Sequence, residues 1–196
     1  MIETLDGCRE QFGSAAGRAG RTISEVGEQF IVRAAAPADL EPVAAICAHY
    51  VTTTVTTFEE IPPTAADWQR RLGDLARRNL PFLVADQDGT VCGYAYASPW
   101  RPKPAYRYTV EDTVYVSPAH TGRGLGRALL GALLAGCEQA GCRQVIAVIA
   151  DTGSDASGEL HRRLGFTPAG RLHRAGYKHG RWIDTVLMQR ELGADA

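Results

Sequence analysis

The chain has 196 residues, a formal net charge of −1, and 45% hydrophobic against 22% charged residues. That length suits one domain with an extension and can bury a substantial core. The near-zero charge excludes a general nucleic-acid binder, and no apolar run is long enough to span a membrane or to form the core of a signal peptide. Five cysteines (Cys8, Cys47, Cys92, Cys137, Cys142) form no C-x-x-C pair and read as buried or unlinked thiols of a reducing cytoplasm.

Residues 1–28 are rich in Gly, Ala and Arg without a period. They read as a partly ordered extension to a folded domain over 29–192, with 193–196 a short tail. Residues 29–34 (QFIVRA) predict a first strand. Pro37 suits the first turn of a helix carried to Tyr50 by Leu40, Val43, Ala44, Ile46 and Cys47. The β-branched run 51–57 should end it. Pro62-Pro63 is a stop, and Thr64 caps a second helix to about Asn79, with Trp68, Leu72 and Leu75 on one face. Residues 82–85 and 91–97 predict a hairpin around Asp88-Gly89. Pro99, Pro102 and Pro104 keep the next stretch irregular, and a long strand follows over 106–116.

That strand runs through Ser117-Pro118 into a glycine loop, Thr121-Gly122-Arg123-Gly124-Leu125-Gly126, and then a helix carrying Leu129, Leu130, Leu133, Leu134 and Cys137. A glycine loop at a helix N-terminus is suited to an anion. Its N–H groups approach the ligand closely, and the helix dipole adds roughly half a positive charge. Arg123 and Arg127 add charge beside it. No Lys-Ser/Thr pair follows, which excludes a P-loop, and neither Gly122 nor Gly124 begins a G-x-G-x-x-G fingerprint. Downstream, the apolar run 144–149 predicts a strand buried on both faces. A short helix over 157–164, a strand over 166–173, a turn at 178–181 and a last strand over 182–190 complete the chain. The expected fold class is α/β (α+β): a mixed, mostly antiparallel sheet, meander first, flanked by helices.

The loop 121–126 resembles the acetyl-CoA pyrophosphate loop of the GNAT superfamily of N-acetyltransferases, with Thr121 where Arg or Gln is usual. Ser157-Gly-Glu-Leu-His-Arg-Arg-Leu-Gly-Phe166 resembles that superfamily's second signature. Within it, the segments 95–100 (AYASPW), 105–116 (AYRYTVEDTVYV), 176–180 (GYKHG) and Trp182-x-Asp184 are similar to the phosphinothricin acetyltransferase group. Members of that group and its methionine sulfoximine-acetylating relatives act on the α-amine of small amino-acid analogues. The likeness runs from about Phe30 to Leu192.

The resemblance implies acetyl-CoA as co-substrate and direct attack by a small-molecule amine. Such amines are mostly ammonium at neutral pH, so a base is needed. The group's glutamate falls on Glu111, which shares a strand face with Thr109, Thr113 and Tyr115. Flanking apolar residues should raise its pKa; Asp112, on the other face, reads as structural. The resemblance further implies that Val114, Tyr115 and Val116 offer backbone amides to the pantetheine arm, with Thr121, Gly122, Arg123, Gly124, Leu125, Gly126 and Arg127 on the pyrophosphate. Ser154 stands where an asparagine often bonds the arm. His161 takes the place of the tyrosine that protonates the CoA sulfur; the alternative is a packing or capping histidine. Phe58, Lys103 and Tyr106 are placed around the acceptor, with Lys103 and Arg101 as cations for a phosphinate, sulfoximine or carboxylate. The resemblance also implies a homodimer, with His179 structural or at the subunit contact. His49, His120, His173 and His179 show no ligand spacing, so no metal is expected. Two further readings stand beside this one: acetylation of a peptide N-terminus or another amine, and a non-catalytic acyl-CoA sensor.

Overall fold

A computed structural model describes residues 21–22 and 30–193. The rest of the 1–28 extension, Cys8, and the tail beyond Gly193 lie outside the described residues. Among those described, eight strands form one sheet in the order β1-β2-β3-β4-β5-β6-β8-β7. They are β1 (Arg21–Thr22), β2 (Ile31–Ala34), β3 (Phe82–Gln87), β4 (Thr90–Pro99), β5 (Thr109–Val116), β6 (Gln144–Ala150), β7 (Thr167–Lys178) and β8 (Arg181–Glu191). The helices are α1 (Leu40–Thr53), α2 (Ala65–Arg77), α3 (Leu125–Gln139) and α4 (Ala156–Arg163). Every neighbouring pair is antiparallel except β5 and β6. Helix α3 makes that junction by carrying the chain back along the sheet between two parallel strands. The expected mixed, meander-first sheet is the fold.

Strand β4 explains why the sheet takes a helix layer on each face. Tyr94 and Tyr96 face α1 and α2, and Ala95 and Ala97 face α3, as strand alternation requires. The small alanines let α3 lie close, with Leu129, Leu130 and Leu133 wholly buried. Gly93 is part of the same approach, since a Cβ there would stand 3.0 Å from Leu129 Cδ1 and 2.8 Å from the Tyr115 carbonyl. On the other face Val43 and Val51 of α1 and Trp68 and Leu75 of α2 pack over the tyrosines.

Local signals mark the helix starts well. Thr64 caps α2: Asp67 N–H donates to its hydroxyl at 3.2 Å, and its own N–H donates to the Asp67 carboxylate at 2.7 Å. Strand β1 was not expected, β7 runs to Lys178 rather than His173, and three further elements differ from expectation. Helix α1 continues past Tyr50 to Thr53. Val51 is buried in the core, and Thr52 and Thr53 hydroxyls donate back to the Ala48 and His49 carbonyls at 2.8 and 2.6 Å. Packing outweighs the small propensity cost of β-branching. Strand β5 starts at Thr109, because residues 104–106 form a 3-10 turn. Strand β6 buries Val145 and Ala147 but leaves Val148 39% exposed. The apolar run does not mark a strand covered on both faces, because β6 parts from β5 and borders an opening.

Candidate active site

Strands β5 and β6 pair only at Thr109↔Gln144, Val110↔Val145 and Glu111↔Ile146. Beyond Glu111, β5 stays with β4 as far as Gly93↔Val116, while β6 stays with β8 as far as Ala150↔Thr185. The strands diverge and a cleft of about 570 Å³ opens between them. The β4 ladder decides which peptide groups face it. Trp100 N–H donates to the Thr109 carbonyl at 3.2 Å, and Ser117 N–H to the Cys92 carbonyl at 2.8 Å. Antiparallel bonding alternates along a strand, so the peptide groups of Asp112, Val114 and Val116 turn away from β4 and toward the cleft. Those of Tyr115 turn to β4. The Val116 carbonyl accepts the Tyr50 hydroxyl at 2.6 Å.

Because the cleft splits the sheet, it opens on both faces. Tyr50, Tyr94, Tyr96, Glu111 and Tyr115 line the α1–α2 side, and Asp112, Val114, Leu160 and His161 the other. Glu111 sits at the apex, half-buried. Burial pushes its pKa above the ordinary carboxylate value, the Asp112 charge adds to this, and Arg101 opposes it.

Asp112 and His161 form a buried pair, with His161 Nε2 3.1 Å from Asp112 Oδ2. His161 Nδ1 donates to the Ser157 carbonyl at 2.7 Å, so both ring nitrogens are engaged. Burial pulls the His161 pKa down, but the hydrogen bond and charge of Asp112 with the Ser157 carbonyl outweigh it, and the net shift is upward. The pair therefore favours an imidazolium. Asp112 Oδ1 is buried and has no hydrogen-bond donor among the described residues.

The glycine loop lies at the end of β5. Gly122 and Gly124 take φ of 78° and 81°, where glycine is favoured. Gly124 is the N-cap of α3 and supplies no side-chain cap, so the first-turn N–H groups keep their capacity to bind a ligand. The Thr121 hydroxyl donates to the Pro118 carbonyl at 3.2 Å. Gly126 packs beside Leu160 and Val116, which brings the helix start against the cleft.

The segment between α1 and α2 forms the rim and carries Thr56, Thr57, Phe58 and Glu59. The β7–β8 hairpin grips it from more than a hundred residues away. Lys178 Nζ donates to the Thr57 carbonyl at 2.9 Å, and His179 Nε2 bonds the Thr54 carbonyl at 3.2 Å. Gly176 lies under the Phe58 ring, where a Cβ would approach within 2.5 Å.

Comparison with known proteins settles the family. The model of the Acetyltransferase (GNAT) family matches residues 31–166. The chain belongs to the GNAT acetyltransferases. It is 48% identical to a phosphinothricin N-acetyltransferase of Alcaligenes faecalis, over 83% of each chain. It is 41% identical to an L-methionine sulfoximine/L-methionine sulfone acetyltransferase of Pseudomonas aeruginosa, over 82% of this chain and 94% of the other. A GNAT superfamily phosphinothricin acetyltransferase from Sinorhizobium meliloti, solved in complex with acetyl-CoA, superposes with a TM-score of 0.79 at 45% identity. It covers 83% of this chain and 88% of that one. The yncA structure from Salmonella typhimurium, solved with its cofactor acetyl-CoA, gives 0.82 at 35% identity, covering 85% and 96%.

This GNAT protein is thus an acetyl-CoA-dependent N-acetyltransferase. Of the residues named from sequence, Glu111, Val114, Tyr115, Val116, Phe58, Ser154 and His161 line the cleft. Lys103 and Tyr106 are exposed on the 3-10 turn and its approach, and are not among the lining residues. Sequence reading missed Arg71, which lines the cleft, and Lys178, which braces its rim. The spacing of Arg71 from Trp68 on one helix face was a usable signal; Lys178 had none. Among the described residues no group of three or more His, Cys, Asp or Glu side chains is placed to hold a metal, and no helix is long and apolar enough to cross a membrane.

Proposed function

We propose that the acceptor is the α-amine of a small amino-acid analogue of the phosphinothricin, methionine sulfoximine or methionine sulfone type, with Glu111 as general base for direct attack. The observation that carries this reading is the position of Glu111 at the apex of a cleft open on both faces. An amine arriving from the α1–α2 side meets this carboxylate before the thioester of acetyl-CoA. Its raised pKa makes Glu111 a better proton acceptor for an ammonium. The names of the relatives supply the substrate class.

The chain's other groups fit the co-substrate. Val114 and Val116 turn peptide groups toward the pantetheine arm and polarise the thioester carbonyl. Residues 121–127 at the uncapped start of α3 take the pyrophosphate, with Arg123 and Arg127 adding charge. Ser154 lies at the far end of the cleft for a contact to the arm. His161, whose protonated form Asp112 favours, gives its Nε2 proton to the departing thiolate in exchange for the bond to Asp112 and is reprotonated from solvent. Phe58 closes the rim, and Lys103 and Tyr106 stand on the loop outside it. We extend the reading to a cytoplasmic homodimer of a 29–192 domain. The exposed Leu172, Tyr177 and Trp182 on β7 and β8 suit such a contact.

The test is thiol release from acetyl-CoA with phosphinothricin, methionine sulfoximine, methionine sulfone, ordinary amino acids and a peptide. Turnover should be fastest with one of the first three. Turnover with the peptide alone replaces this reading with N-terminal acetylation; tight acetyl-CoA binding without turnover replaces it with a sensor.

A further inference from the structure

We infer that Arg71, with the indole N–H of Trp68, anchors an oxyanion carried by the amino-acid acceptor: its α-carboxylate or a side-chain oxyanion such as a phosphinate. This rests on the acceptor class proposed above and names the part of the cleft that selects it. Three residues apart on α2, Trp68 and Arg71 project on one face, and both line the cleft. The Arg71 guanidinium lies over the Trp68 ring at 4.8 Å and over the Tyr96 ring at 5.0 Å. Its Nη1 donates to the Tyr96 hydroxyl at 3.0 Å. Two ring faces and one hydrogen bond hold the fork in a fixed plane.

That fork has no acid of its own. On the same helix Arg70 pairs with Asp67 and Arg77 with Asp74. Among the described residues Arg71 has neither an ion pair nor a hydrogen bond to a carboxylate. A guanidinium carries five N–H donors, and among the described residues one is used here. The remainder match a bidentate oxyanion. A second, independent observation points to the same ligand: the Trp68 indole Nε1 is buried and has no acceptor among the described residues. A buried donor without a partner is uncommon, and an oxygen of the same ligand would satisfy it. Lys103, the cation expected from the family pattern, stands exposed outside the cleft lining.

Arg71 and Glu111 also share a neighbour. Tyr96 pairs across the sheet with Thr113, which lies two residues from Glu111 on the same strand face. One cavity wall therefore offers a fixed cation at one point and a base at another. That is two-point recognition of an amine and an anion on one small molecule. Neutral amines meet only half of it.

The experiment compares wild type with Arg71→Met and Arg71→Lys on three acceptors: phosphinothricin, its α-carboxamide, and 2-aminobutyrate, which lacks the side-chain oxyanion. Wild type should favour phosphinothricin over whichever analogue lacks the anchored group, and that arm identifies the source. Arg71→Met should raise the phosphinothricin KM about ten- to a hundredfold and abolish the preference. Acetyl-CoA KM should not move, and Arg71→Lys should recover part of the loss, since it keeps the charge without the fork. Thermal melts confirm that the variants are folded. An Arg71→Met enzyme that keeps wild-type preference overturns the inference. If wild type turns over none of the three, the acceptor proposal fails instead, and Arg71 is then judged by tryptophan-fluorescence titration with phosphinothricin. Binding weakened in Arg71→Met supports the anchor; equal binding, or none to wild type, overturns it.

Discussion

The two faces of the sheet solve different problems with the same strands. Toward α3, β4 presents Ala95 and Ala97, and wholly buried leucines pack over them. Toward α1 and α2, β4 and β5 present Tyr94, Tyr96 and Tyr115, whose rings pack with Tyr50, Trp68 and Phe82. The tyrosine hydroxyls and the indole N–H give this face a polar capacity that aliphatic side chains lack. The aliphatic face holds the fold, and the aromatic face lines the Glu111 side of the opening where β5 and β6 part. The lesson is that stability and chemistry are separated by alternation along single strands.

The sharpest way to break this division is Glu111→Gln. Its kcat/KM should fall by about 10² to 10⁴. Its stability at pH 7 should not fall. The folded-state pKa of Glu111 is raised, so the native state holds that proton longer than the unfolded chain does. Wild-type stability therefore declines as pH rises from the ordinary carboxylate value through the raised one, and glutamine removes that cost. Steady-state kinetics and urea melts read the two quantities separately. Full activity in this variant at neutral pH would remove Glu111 as base.

Leu133→Ala tests the opposite face. Removing a wholly buried leucine should cost about 2–5 kcal/mol in chemical denaturation and leave acceptor KM unchanged. A matching rise in acceptor KM would show that the faces are not independent.

Asp112→Asn probes the α3 side where it lines the cleft. Its loss should amount to about 1–3 kcal/mol near pH 6. The folded pKa of His161 is raised, so the pair's contribution is complete below the unfolded value. It is lost as pH rises through the folded one. Denaturation at pH 6 and pH 9 should therefore show a wild-type advantage that shrinks at the higher pH. The acidic limb of kcat/KM should also move down, because the Asp112 charge helps raise Glu111.

Gly176→Ala acts on the rim. A Cβ pressing on Phe58 should raise acceptor KM about tenfold, or ~1.4 kcal/mol, within the usual range for overpacking. Acetyl-CoA KM serves as the control. Thr64→Ala is the mildest change: the lost cap of α2 should lower stability by about 1 kcal/mol with unchanged kinetics.

Much of this molecule was legible along the chain, because the informative signals are local. Thr64 with Asp67, the glycines at 122 and 124, and the leucine period of α3 each act within a turn or two of helix. The alternation through 109–116 put Glu111 on the face of Tyr115 and Asp112 on the other, and the structure turns the first toward the tyrosine layer and the second toward α3. The end of α1 was missed where distant packing overruled propensity at Val51, and the burial of β6 was missed at Val148 because the strands part there.

By itself, then, the sequence determined the elements, their order, and the family likeness that named acetyl-CoA. Only the tertiary structure decided that β6 leaves β5 after Ile146, which turns a ladder into a cleft. It also gave Asp112 a buried partner in His161, set Arg71 between the Trp68 and Tyr96 rings, and put Lys178 on the Thr57 carbonyl. The physical reason is range. A cap or a period is read from neighbours, whereas the partner of a buried charge is chosen by whichever residue the fold brings against it.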